Sequence, residues 1–124
     1  MKPNLSLITL GVQDLAKSFA FYTEVLGWQT KSKVTDGVVF IPLHGIVLGL
    51  FPKAELAKDA HMQVQGSGFP GFSLAHNLSS QQEVDDLFAE LQKKNVTIVK
   101  PPEKVFWGGY SGYFQDPDGY LWEV

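Results

Sequence analysis

A repeat within the chain constrains its fold more than any single motif. Phe40-Ile-Pro-Leu-His-Gly45-Ile-Val-Leu-Gly49-Leu50 aligns with Phe114-Gln-Asp-Pro-Asp-Gly119-Tyr-Leu-Trp-Glu123-Val124, placing Gly45 on Gly119 and Gly49 on Glu123 at an offset of 74. Further upstream, Leu7 aligns with Ser73 and Tyr22 with Phe88, at an offset of 66. The change of offset predicts a longer loop in the second copy, around Pro101-Pro102. The clearest part of the repeat is the hairpin from Trp107 to Val124. Its turn is Asp116-Pro117-Asp118-Gly119, in which Pro117 presets φ and Gly119 takes a positive φ.

Each copy reads as strand, helix and three strands. In the first, Leu5 to Val12 is a strand, and Asp14 caps a helix with Leu15, Phe19, Tyr22 and Leu26 at helical spacing. Gly27 sits where a left-handed cap belongs. Trp28 to Val34, Val38 to Leu43 and Ile46 to Phe51 read as strands, with turns at Asp36-Gly37 and His44-Gly45. In the second copy, Phe72 to Leu78 is a strand and Ser80-Gln-Gln-Glu83 a capping box. Val84, Leu87, Phe88 and Leu91 form an apolar stripe that Asn95 can end. Thr97 to Lys100, Trp107 to Gln115 and Tyr120 to Val124 complete the set.

The reading is a single α+β domain over residues 1–124: module one 1–51, linker 52–70 with one short helix near Ala54 to Ala60, module two 71–124. One helix per module cannot cover both faces of a sheet. The uncovered faces must meet each other, a partner chain or a ligand-filled cup. The chain has no cysteine, hence no thiolate nucleophile and no cysteine metal site. A net charge of -3 without a basic run argues against nucleic-acid binding. No apolar run is long enough to span a bilayer and no signal peptide is visible, so the expected location is cytoplasmic.

Two segments carry a resemblance to a known family: Ile8-Thr-Leu-Gly-Val-Gln-Asp14-Leu with Ser18-Phe-Ala-Phe-Tyr22 and Leu26-Gly27-Trp28, and Gly112-Tyr-Phe-Gln-Asp-Pro-Asp-Gly119-Tyr-Leu-Trp-Glu123. In this duplicated frame the chain resembles the vicinal oxygen chelate superfamily, which includes glyoxalase I, extradiol dioxygenases and the bleomycin and fosfomycin resistance proteins. The resemblance implies two βαβββ modules in a cupped mixed sheet with outer helices. It also implies up to four metal ligands, one early in each module's first strand and one late in its last. Those positions fall on Leu7, Gly49, Ser73 and Glu123. Only Glu123 is a good ligand, and one donor does not hold a divalent transition metal. The expectation is therefore a member without a metal cofactor. The alternative is one divalent ion, with Glu123 as its ligand or as a base.

Glu123 is the candidate catalytic residue. The expected ligand-binding residues are Thr9, Ser73, Asn77, Trp107, Tyr110, Ser111 and Tyr113. Alternation puts Trp107, Gly109, Ser111 and Tyr113 opposite Phe114, and a bulge at Gly108-Gly109 would instead turn Tyr110 inward. The same alternation sets His76 on the helix-facing side, as a core histidine more readily than a catalytic one. Asp116 and Asp118 read as turn residues rather than an acid–base pair. Two functions follow: a metal-independent small-molecule-binding homodimer with an aromatic-lined cup, or a metal-dependent glyoxalase-like lyase or isomerase.

Overall fold

Hydrophobic alternation and turn chemistry produce two units, Met1–Gly66 and Ser67–Val124. The structure is a computed structural model that describes residues 3, 6–59, 64, 66, 73–105 and 109–124.

In the first unit, β1 (Leu7–Val12) leads into α1 (Leu15–Ala20), which is capped by a hydrogen bond from Lys17 N to Asp14 Oδ1. The helix widens into a π-helical turn over Phe21–Val25, closed by Leu26 N to Phe21 O at 3.0 Å. Gly27, at φ 73°, ends it. Strands β2 (Val39–Pro42) and β3 (Val47–Pro52) complete a sheet ordered β1-β3-β2, with β3 parallel to β1 and antiparallel to β2. Leu10, Val12, Val39, Ile41, Leu48 and Leu50 are buried with Leu15, Ser18, Phe21 and Tyr22 of the helical segment. Fully burying one such aliphatic side chain is worth about 1.5–3 kcal/mol. A short helix, α2 (Lys53–Asp59), follows β3 directly and packs over Gly11 through Leu56.

The expected strand from Trp28 to Val34 is absent, because side chains take the place of its backbone ladder. The Thr30 hydroxyl donates to Phe40 O, and Phe40 N donates to Ser32 Oγ at 3.0 Å. Lys33 N then bonds Asp36 Oδ2 at 2.9 Å, and a 3-10 turn over Val34–Asp36 ends at Gly37 with φ 79°.

The second unit holds β4 (Ser73–Ala75), α3 (Gln81–Lys93), β5 (Thr97–Lys104), β6 (Tyr110–Gln115) and β7 (Leu121–Glu123), with sheet order β4-β7-β6-β5. Ser80 Oγ caps α3 by accepting from Glu83 N, but the Glu83 carboxylate bonds Ser79 N at 2.8 Å, one residue before the position a capping box predicts. Asn95, at φ 58°, terminates the helical segment. Val84, Phe88 and Leu91 pack on the sheet, with Phe88 edge-on to Phe114 and Phe114 stacked on Trp122. A Cβ at Gly112 would lie 2.7 Å from Phe88 Cζ and 2.8 Å from Lys100 O, so glycine is what lets α3 approach β6.

The extra residues around Pro101-Pro102 form no loop. Strand β5 runs through both prolines, and its pairing with β6 shifts register between Ile98 and Lys100 and between Lys100 and Glu103. As the sheet edge, β5 tolerates proline, and bulges absorb the insertion.

The ladders also correct part of the repeat. Leu7 pairs with Val47 as Ser73 pairs with Leu121, which preserves both offsets across β1/β4 and β3/β7. Phe40, however, pairs with Gly49, whereas Tyr113 pairs with Glu123. Phe40 is thus the counterpart of Tyr113, not Phe114, and the second hairpin is one residue longer. A one-residue slip exchanges the two faces of a strand. Phe40 is accordingly 43% exposed, while Phe114 is 2% exposed.

Candidate functional site

Three of the candidate residues lie on the face of the second sheet that α3 does not cover. Phe114 and Trp122 face the helix, so their neighbours Tyr113 and Glu123, paired across β6 and β7, face the other way with Ser111. The Tyr113 phenol is placed to interact with the Glu123 carboxylate. Burial, and then that carboxylate, push the Tyr113 phenol above its ordinary pKa. Asp116 fixes the hairpin below: its Oδ1 accepts from Asp118 N and Tyr120 N, each at 2.9 Å, and Gly119 has φ 85°. Asp116 is a turn residue, as expected, and its carboxylate is committed to backbone donors.

Beyond the end of β7 the sheet opens into a cavity of about 210 Å³, lined by Asn77, Leu78, Val84, Val105, Gly109, Tyr110, Ser111, Glu123 and Val124. Ser111 is 8% exposed, and its Oγ has no hydrogen-bond partner. Such a buried orphan costs about 1–3 kcal/mol. Tyr110 touches the cavity but aims its hydroxyl at Asp85 Oδ1 on α3, 2.6 Å away. That hydrogen bond, then burial, raise the Tyr110 pKa. The parity of β6 is therefore that of an unbroken strand over residues 110–115.

The second unit gathers Asn77, Tyr110, Ser111 and Glu123 around one cavity, with Tyr113 attached through Glu123. Ser73 is placed by its backbone, opposite Leu121; its side chain and the whole of Trp107 lie outside the described residues. Thr9 belongs to the first unit, opposite Gly49. His76 is not a core histidine. Strand β4 ends at Ala75, the alternation stops there, and the exposed His76 is held by its backbone N donating to Glu123 O at 2.8 Å. Sequence reasoning missed Asp85 and the cavity wall of Leu78, Val84 and Val105. Asp85 carries no local signal, since its partner lies 25 residues away.

Two of the four positions that the family resemblance implies for metal ligands, Leu7 and Gly49, carry no side-chain donor. At Gly49 an added Cβ would lie 3.1 Å from Thr9 Oγ1 and 3.5 Å from Leu7 Cδ1, a close fit against two side chains. Leu7 offers no donor. Among the described residues no group of three or more His, Cys, Asp or Glu is placed to hold a metal ion. The described residues do not fit a three- or four-donor divalent site.

Two βα-containing units, each with its last strand parallel to its first, define an α+β protein of the duplicated glyoxalase type. Residues 4–124 match the Glyoxalase/Bleomycin resistance protein/Dioxygenase superfamily, and the chain belongs to it. Glutathione transferase FosA of Serratia marcescens is 28% identical over 130 residues, covering 100% of this chain and 81% of that protein. A glyoxalase-related enzyme from Fulvimarina pelagi superposes with a TM-score of 0.86 at 32% identity, over 99% of this chain and 87% of that one. Lactoylglutathione lyase from Agrobacterium tumefaciens superposes with a TM-score of 0.76 at 25% identity, over 99% and 92%. Among the described residues no helix is long and apolar enough to cross a membrane.

Proposed function

We propose that this chain is a small-molecule-binding protein that holds its ligand on the second unit without a divalent metal. The observation that carries the proposal is the donor set: of Leu7, Gly49, Ser73 and Glu123, only Glu123 is a strong ligand. Glu123 then serves as a hydrogen-bond acceptor beside Tyr113, and Ser111 and Asn77 supply further polar contacts. A homodimer is part of the proposal. Leu7 and Phe40 stay 41% and 43% exposed, and a second copy covering them removes that apolar surface from water.

The metal-dependent, glyoxalase-like reading has one observation in its favour, the carboxylate retained at position 123. Thermal denaturation against a library of metabolites and antibiotics, with and without a chelator, separates the two. Stabilisation by a compound that survives chelator supports metal-independent binding. Stabilisation abolished by chelator, or none across the library, contradicts it.

A further inference from the structure

The outer edge of β2 is sealed by side chains rather than by a strand. In the second unit, β6 is paired on its outer side by β5, with Lys100 opposite Tyr113. Phe40 is the counterpart of Tyr113, yet the first sheet ends at β2 among the described residues. In an antiparallel ladder, alternate residues turn their backbone groups to opposite sides. Phe40 N and O bond Ser32 and Thr30 rather than β3, so Phe40 and Pro42 turn theirs outward. Pro42 has no N–H. The outward donor of β2 is therefore Phe40 N, which donates to Ser32 Oγ at 3.0 Å. Phe40 O accepts from the Thr30 hydroxyl, and Ser32 N donates to Thr30 Oγ1 at 3.0 Å. The bond from Lys33 N to Asp36 Oδ2 and the left-handed Gly37 then return the chain to β2.

We infer that Thr30 and Ser32 form a hydroxyl latch that keeps β2 from pairing with the β2 edge of a second copy of this chain. An open strand edge is a template for another strand. This one is self-complementary. Two antiparallel β2 strands related by a two-fold axis at Phe40 would exchange both N–H to O bonds between their Phe40 residues. The Phe40 side chains, each 43% exposed in one chain, would become cross-strand neighbours. The latch satisfies the same two backbone atoms within one chain. Lys31 and Lys33, both exposed, flank it and oppose a second copy by like charge. The edge is distinct from the open sheet face assigned to the homodimer, and the inference does not depend on ligand binding.

The test combines hydrogen exchange at the β2 amides of the full chain, read by NMR, with mass by light scattering over a range of concentrations. In the wild type the Phe40 amide should be protected, and exchange there at the rate of an unstructured peptide overturns the latch. Thr30→Val/Ser32→Ala removes both hydroxyls. In dilute solution its Phe40 amide should exchange at least about tenfold faster than in the wild type, through loss of a hydrogen bond. Val39 and Ile41, which pair with β3, should be unchanged. When concentrated, the variant should reach twice the wild-type mass with Phe40 protected again. Thr30→Ser/Ser32→Thr keeps both hydroxyls and should match the wild type in both readings. Unchanged Phe40 exchange, an unchanged mass at every concentration, or a doubled mass with Phe40 still exchanging fast overturns the inference. If the double variant does not fold, Ser32→Ala alone decides: faster exchange confined to Phe40 supports the latch, and unchanged exchange overturns it.

Discussion

The two units share a ladder frame yet differ at its equivalent positions. On the open face of the first, Leu7 and Thr9 lie over Gly49, and Phe40 stands across the ladder from it. On the corresponding face of the second, Glu123 stands where Gly49 does and Tyr113 where Phe40 does, with an unpartnered Ser111 two residues along. The buried sides are alike: Tyr22 and Phe88 are both core residues, as are Leu48 and Trp122. Burial demands only apolar side chains of suitable volume, so both copies keep it. The open faces differ, since Glu123 and Tyr113 stand where the first copy has Gly49 and Phe40.

The largest expected contrast tests the register of that comparison. Phe114→Ala should destabilise the protein by about 3–5 kcal/mol, the usual cost for a buried aromatic. Phe40→Ala, though matched to it in the linear repeat, should cost the fold of the single chain less than about 1 kcal/mol, as exposed positions do. Urea denaturation of both variants checks this, and similar losses would break the one-residue correction. A smaller contrast lies in the glycines. Gly112→Ala forces a Cβ against Phe88 and the Lys100 carbonyl and should cost about 1–3 kcal/mol. Gly49→Ala meets only Thr9 and Leu7 side chains and should stay within about 1 kcal/mol in the same assay.

The smallest effect is in alkaline titration. A phenol whose folded pKa is raised keeps its proton where the unfolded chain has lost its own. The stabilising contribution is complete below the unfolded value near 10 and disappears as pH rises through the higher folded value. Stability should therefore fall above pH 10, and less steeply in Tyr113→Phe. Ultraviolet titration should show Tyr113 and Tyr110 ionising late, each late step vanishing in its own phenylalanine variant.

Much of the fold was legible because local chemistry and tertiary burial agree there. Asp14, Gly27, Ser80, Asn95 and Gly119 act at the turns and caps that their side chains or φ angles predict. Sequence reasoning failed where side chains competed with the backbone, as Thr30 and Ser32 do for Phe40. It failed again where an insertion became two bulges rather than a loop. Of the site, the alternation across Ser111, Tyr113 and Glu123 was legible. The Tyr110–Asp85 bond was not, because it depends on how closely α3 lies on β6. His76 was misplaced because alternation was extended past the end of a three-residue strand.

The central claim is that the second unit's site works without a divalent metal. Elemental analysis tests it most directly, on tag-free protein loaded in turn with iron, manganese, nickel and zinc and then desalted. The account predicts no retained ion in the wild type. An equimolar ion that disappears in Glu123→Ala would contradict it and restore metal chemistry to this chain.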